Sequence, residues 1–462
     1  MQKIQIDLLI KDGVILTMNP QNDVIRDGAI AVQKGEIIAI GSSREISERY
    51  LPDEVIDAHD HIVMPGLIDT HFHTGQQFEK NLISYLARQK LLKDPMWLYA
   101  LIPFEASLSD EDIHLSALFG YSNMLKVGTT CFADPGGPKP ELMAPAIEQT
   151  GIRGILARST LDESHNVPPE MQDDIAGIIE KGKNLYNEFN GKADGRIRTW
   201  LGMRQIMVCS RALLLAIRKL ADELDTGIHI HLSEQPSEVD FSVMKSGKRP
   251  AEYLAEAGFF GSKVLAAHSV FLSERDLDIY EEYDVAVAHC PSPAFGFMGP
   301  TRVPEMRRRG LRVGLGSDGA LSTGGSLDLF RQMTITRYAQ TLHYGLPYYD
   351  TQVVRDEDLL RMATIGGAGA IFWDDQIGSL EVGKKADLIL IGLDDLDILP
   401  CYDPINTAAQ VAHGQHVDTV VVNGEIVVRD KRLMKVDEDE LVAKVKERSP
   451  KIVERFLERA AG

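Results

Sequence analysis

The chain has 462 residues, 44% hydrophobic and 25% charged, enough for one large domain and a smaller companion. Its formal net charge of -19 comes without a block of Lys and Arg, which argues against nucleic acid or an anionic membrane as partner and points to small solutes. The four cysteines, Cys131, Cys209, Cys290 and Cys401, are scattered, which argues against a disulfide framework or a thiolate zinc site and fits a reducing cytoplasm.

The first residues, Met1-Gln-Lys-Ile-Gln-Ile-Asp, carry charges where a signal peptide needs an apolar core, and no stretch of ~18 uncharged apolar residues follows. A cytoplasmic location is therefore expected. Residues 1–63 alternate as antiparallel strands do, in Leu8-Leu-Ile-Lys-Asp-Gly-Val-Ile-Leu and Ala29-Ile-Ala-Val-Gln-Lys-Gly-Glu-Ile-Ile-Ala-Ile. The same texture returns in 376–436, at Ala386-Asp-Leu-Ile-Leu-Ile and Val417-Asp-Thr-Val-Val-Val, so both chain ends are expected to build one small β domain.

From 64 to 375 the texture changes to short apolar runs alternating with longer amphipathic segments. The runs end near His73, Asp134, Arg158, Arg204, His231, His268, His289 and Asp318, and this β/α alternation over some 250 residues matches a (β/α)8 barrel. The fold class expected is α/β, a TIM-like barrel beside a small β-sandwich. Residues 437–462 read as a charged surface helix with no assigned function.

Chemistry in such a barrel sits at the C-terminal strand ends. Pro65-Gly-Leu-Ile-Asp-Thr-His71-Phe-His73 ends in two histidines on one strand face, a nitrogen pair suited to zinc or ferrous iron, although two hydrogen-bonded histidines would look the same. Thr226-Gly-Ile-His-Ile-His231 offers a third imidazole. His229 lies on the same face, so spacing leaves it a competitor; His231 is preferred as nearer the strand end, and His229 is read as a core histidine. Leu311-Arg-Val-Gly-Leu-Gly-Ser-Asp318 ends in a carboxylate whose charge beside a barrel interior needs a partner. Three imidazoles and one carboxylate bind a divalent ion and leave room for water, so hydrolysis is expected. Glu234, three residues past His231, suits a proton shuttle, and His268 suits deprotonation of water, against the plainer readings of a loop acid and a buried histidine. The fourth strand contains no lysine that could bridge two metals, so one ion is expected.

With these residues assembled, the chain resembles the amidohydrolase superfamily, in its mononuclear deaminase and triazine-hydrolase branch. The resemblance rests on Met64-Pro-Gly-Leu-Ile-Asp-Thr-His-Phe-His, His231-Leu-Ser-Glu234, Ala266-Ala-His268, His289-Cys-Pro, Gly316-Ser-Asp318-Gly and Gly378-Ser-Leu-Glu-Val-Gly-Lys-Lys-Ala-Asp-Leu. It implies one Zn2+ or Fe2+ held by His71, His73, His231 and Asp318, with Glu234 and His268 catalytic alongside Asp318, acting on carbon–nitrogen bonds of cyclic amidines. It also implies the split β-sandwich and a homo-oligomer.

Trp97-Leu and Pro103-Phe-Glu105 resemble the methylthioadenosine/S-adenosylhomocysteine deaminases, in which the glutamate holds ribose hydroxyls. Arg204, in place of a Pro-His-Ala-Pro stretch, and Gln76 resemble guanine deaminases instead, and both side chains suit a ring carbonyl. Arg158 and His289 are further candidates for substrate contact. The expected function is deamination of a purine or purine nucleoside; the alternatives are a guanine-, isoguanine- or pterin-type ring, an s-triazine, or an inactive binding barrel. The loops His289-Cys-Pro-Ser-Pro-Ala-Phe-Gly-Phe and Gly319-Ala-Leu-Ser-Thr-Gly-Gly depart from the family pattern. Gly314-Leu-Gly-Ser-Asp-Gly319 fits a dinucleotide fingerprint but lacks the acidic residue about twenty positions on.

Overall fold

A computed structural model of the protein describes residues 3–90, 93, 95–163, 167–320 and 325–461. Leu321–Gly324, part of the unusual loop after Asp318, lie outside the described residues. Eight parallel strands follow one another in sequence order: Leu67–Asp69, Thr129–Ala133, Arg153–Arg158, Ile197–Met203, Ile228–Leu232, Val264–His268, Ala286–His289 and Val313–Leu315. Most of their residues are buried on both faces, which is why runs such as Val264-Leu-Ala-Ala read as continuously apolar. The helices between them turn one apolar stripe inward; Arg211–Leu224 buries Leu213, Leu214, Ile217, Leu220 and Ala221, and the Ser210 hydroxyl caps its first turn by accepting from Leu213 N–H at 3.1 Å.

Closure joins the last strand to the first. Thr70 N–H donates to the Leu315 carbonyl at 2.8 Å and Asp318 N–H to the His71 carbonyl at 2.7 Å. The glycines of the apparent dinucleotide pattern serve this seam: a Cβ on Gly314 would meet Thr70 Cγ2 at 2.3 Å, and one on Gly316 would meet His71 Cβ at 2.8 Å. Close approach of two strands accounts for Gly314 and Gly316.

Both chain ends form one mixed nine-stranded sheet. Its long first strand, Ile4–Leu16, pairs in parallel with Tyr50–Asp57 along one part and with His61–Pro65 near its end, while His61–Pro65 pairs antiparallel with Leu388–Gly392. The sheet folds around Leu8, Ile10, Ile30, Val63, Leu388 and Val421, which makes the β-sandwich. Its pairing reaches Pro65, two residues past the edge expected at 63. Between the late strands the chain leaves the sheet: the helical stretch Pro404–Val411 returns to the barrel, where Asn406 and Gln410 donate to Asp356 at 2.9 and 2.6 Å.

The terminal helix, Glu438–Ala461, is charged as expected but buries Leu441, Ile452 and Phe456. Arg448 and Arg455 both pair with buried Asp112, and Arg455 Nε donates to the Ser107 carbonyl at 3.0 Å. Phe456 packs edge-on against Phe104, with ring centroids 5.4 Å apart. Asp112 also closes the capping box of the helix Asp110–Lys126. Asp112→Ala is expected to cost about 2 kcal/mol, from the lost cap and lost charge-assisted bonds. A lower thermal midpoint and proteolysis of the terminal helix would register this; unchanged resistance to both would show that the helix is held by its apolar contacts. Among the described residues no helix is long and apolar enough to cross a membrane.

Candidate metal centre

His71 and His73 leave the first barrel strand at the closure seam, and the same seam delivers Asp318 opposite them. Asp318 Oδ1 lies 3.3 Å from His71 Nε2 and 3.4 Å from His73 Nε2. His231, from the end of the fifth strand, places Nε2 3.3 Å from His73 Nε2. Ligand atoms of His71, His231 and His268 also fall within 4.8 Å of one another, so His268 stands as close to the centre as the expected ligands. All five residues are buried.

The ring tautomers follow from outer partners. His231 Nδ1 lies 2.8 Å from the Arg204 carbonyl, which can only accept, so Nδ1 carries the proton and Nε2 keeps its lone pair. His71 Nδ1 lies 2.9 Å from His229 Nε2, and Nε2 of His71 is buried with no hydrogen-bond partner. Burial pushes the His71 pKa down to about 3, so the ring is neutral. His229, read from spacing as a core histidine, therefore braces His71 behind the centre. Asp69 holds the backbone here, accepting from His71 N–H at 3.2 Å and Ser317 N–H at 3.0 Å. Burial opposes the charge on Asp318, yet the His71 and His73 rings beside it hold its carboxyl well below the usual range. A buried carboxylate beside clustered imidazoles, with the unpartnered His71 Nε2 turned toward it, is a donor set that fits a divalent transition ion.

His268 and Asp318 both have left-handed backbones, with φ of 69° and 66°. Non-glycine residues there cost about 1–3 kcal/mol each and persist where surrounding bonds over-determine them, as the Asp318 N–H to His71 carbonyl bond does.

Beside the centre is a cavity bordered by Met96, Trp97, Leu101, Gln205, Gln235 and Met298, and by Arg204, His231, Glu234, His268 and Asp318. Glu234 Oε2 accepts from Gln205 Nε2 at 2.6 Å, and burial pushes the Glu234 pKa up to about 7. Trp97 reaches the cavity from a wide turn, Trp97–Leu101, that runs into the helix Ile102–Ser107.

Three expected substrate residues bind each other. Arg204 Nη1 donates to both oxygens of Glu105 at 3.2 and 3.1 Å, and Gln76 Nε2 donates to Glu105 Oε1 at 2.7 Å. Only Arg204 of these three borders the cavity. Arg158 does not border it either: it donates to the Pro138 carbonyl at 2.7 Å and pairs with Glu141. His289 is buried, is not among the residues that border the cavity, and has neither ring nitrogen hydrogen-bonded. Sequence spacing marks His229 as a competitor for the metal, read as a core histidine, and marks neither Asp69 nor Gln205, for which nearness to strand ends is the available signal.

The chain belongs to the amidohydrolase family, whose model matches residues 62–427. Within that family it is a hydrolytic enzyme acting on carbon–nitrogen bonds of cyclic amidines. It is 35% identical over 451 residues to a 5-methylthioadenosine/S-adenosylhomocysteine deaminase of Thermoanaerobacter pseudethanolicus, covering 97% of this chain and 100% of that one. It is 34% identical over 445 residues to a 5'-deoxyadenosine deaminase of Methanobrevibacter smithii, covering 95% and 96%. The fold is shared with an adenosine deaminase from Xanthomonas campestris solved with bound zinc, at TM-score 0.88 and 24% identity over 98% of this chain and 99% of that one. An atrazine chlorohydrolase from Arthrobacter aurescens, solved with zinc, superimposes at TM-score 0.83 and 23% identity, covering 96% and 100%.

Proposed function

We propose that the protein is a zinc-dependent deaminase of an adenine-type nucleoside, replacing the ring amino group with oxygen from water and releasing ammonia. The observation that carries this reading is the meeting of Glu234 and His268 with the imidazole and carboxylate cluster in one buried cavity. Near full-length similarity to deaminases of 5'-modified adenosines supports the choice of ring.

His71, His73, His231 and Asp318 would hold the ion. When bound, a divalent ion supplies hydroxide near neutral pH by lowering the pKa of water from about 15.7 to about 7. His268, which borders the cavity and clusters with His71 and His231, would accept the proton of the incoming water. Glu234 delivers a proton to the ring nitrogen beside the amino-bearing carbon, which makes that carbon electron-poor. Trp97, Leu101 and Met298 wall the flat ring and keep bulk water out.

A second reading is favoured by the Arg204–Glu105 pair: with Glu105 engaged and Arg204 bordering the cavity, a ring bearing a carbonyl, as in guanine, meets a guanidinium donor. An ammonia-release screen across adenosine-type nucleosides, guanine, isoguanine, pterins and aminotriazines separates the two. Turnover of nucleosides alone supports the first reading, guanine alone supports the second, and no ammonia from any of them contradicts both. Glu105→Gln adds a residue-level check. If ribose hydroxyls lie on Glu105, it is expected to raise the nucleoside KM by about tenfold or more, the scale of a hydrogen bond to a charged group, and to spare free-base turnover. An unchanged nucleoside KM would remove Glu105 from the ribose site.

A homo-oligomer and a cytoplasmic location belong with this reading. Exposed Tyr338, Leu342, Leu346, Tyr348 and Tyr349 follow one another along one segment and suit a subunit contact. A monomeric mass in solution would contradict that.

A further inference from the structure

We propose that Gln205 is a positioning residue that decides which oxygen of Glu234 carries the transferred proton, an assignment that rests on the deaminase reading above. Gln205 follows the fourth barrel strand, Ile197–Met203, and Glu234 follows the fifth, Ile228–Leu232; these strands pair directly. Both side chains are buried and border the cavity beside the metal centre. The Gln205 Nε2 donates to Glu234 Oε2 at 2.6 Å.

An amide N–H only donates, so Oε2 accepts in this arrangement, which favours placing a proton of the carboxyl on the stronger remaining site, Oε1. The reverse orientation of the amide would set its oxygen against Oε2, leaving two acceptors face to face whenever Glu234 is ionised. The main chain is fixed as firmly as the side chain. Ser233 N–H and Glu234 N–H donate to the two oxygens of buried Glu238 at 3.0 and 2.8 Å, and Ser233 is held at φ 52°. Glu234 is thus anchored at its backbone and at one oxygen, which leaves Oε1 as the oxygen free to serve a ring nitrogen. A carboxyl without the Gln205 bond would be free to rotate and to carry its proton on either oxygen, and only one arrangement is productive.

The test is a double-mutant cycle on ammonia release, with metal content measured in every variant. Gln205→Met keeps length and volume and removes the donor; Gln205→Asn keeps the amide and draws it back by one methylene. Both are expected to lower kcat about a hundredfold, with KM moving less than about twofold and metal content unchanged. Added to Glu234→Gln, the Gln205→Met change is expected to lower the rate by less than about a further twofold, because the two residues act as one unit. Losses that multiply in the double variant, or a kcat within about threefold of wild type in Gln205→Met, overturn the assignment and leave the deaminase reading standing. Where Gln205→Met loses its metal or its fold, Gln205→Asn carries the comparison, and full kcat in that variant overturns the assignment. A wild-type protein that releases ammonia from no aminated heterocycle overturns the reading and the assignment together.

Discussion

Asp318→Asn is expected to strip the protein of its metal and to bring ammonia release below about a thousandth of wild type, the upper range of losses seen when an electrostatic stabiliser is removed. Asparagine keeps the shape of the side chain and tolerates the left-handed backbone at this position, where φ is 66°. The Asp318 N–H bond to the His71 carbonyl, which helps to close the barrel, is a backbone bond and survives the change. What disappears is the formal negative charge among the expected ligands, and with it the means of making water acidic near pH 7. Metal analysis beside an activity assay checks this, with the thermal midpoint confirming that the barrel still closes. Near wild-type turnover in Asp318→Asn would count decisively against the site.

Glu234→Gln is expected to retain the metal and lose about 10²–10⁴ in kcat, the usual contribution of a positioned general acid. The pH dependence gives the sign. Burial raises the Glu234 pKa to about 7, well above the ordinary carboxylate range, so the carboxyl keeps a proton to give near neutral pH. A group that must donate is competent below its pKa, so kcat/KM is expected to fall as pH rises through about 7. That limb is expected to vanish in Glu234→Gln. Full activity in the variant would assign the proton transfer to another group.

The clustering of the candidate centre's residues is legible because each ends an apolar run. His71, His73, His231, His268 and Asp318 are polar groups at points where a strand leaves a buried interior, and a barrel brings such points together regardless of their distance in sequence. The strand count and the split sheet were legible for the same reason, since periodicity of burial is written locally. The substrate wall was not. Whether Glu105 faces a ribose or Arg204 depends on side-chain rotation between residues 99 apart in the chain, and no local pattern records it. A strand-end arginine such as Arg158 reads the same way in sequence whether it meets substrate or pairs with a neighbour, as Arg158 does with Glu141. The terminal helix looked merely charged because its buried residues, Leu441, Ile452 and Phe456, are few among its acids and bases. At 314–319 a packing requirement of the barrel seam, met by Gly314 and Gly316, imitates a nucleotide motif that its missing acidic residue already argues against.

The most direct measurement pairs metal analysis with ammonia release on the purified protein before and after chelation. One divalent ion per chain is expected, with activity lost on its removal and restored by zinc alone. Full ammonia release from the chelated, metal-free protein would contradict a hydrolytic site built on His71, His73, His231 and Asp318.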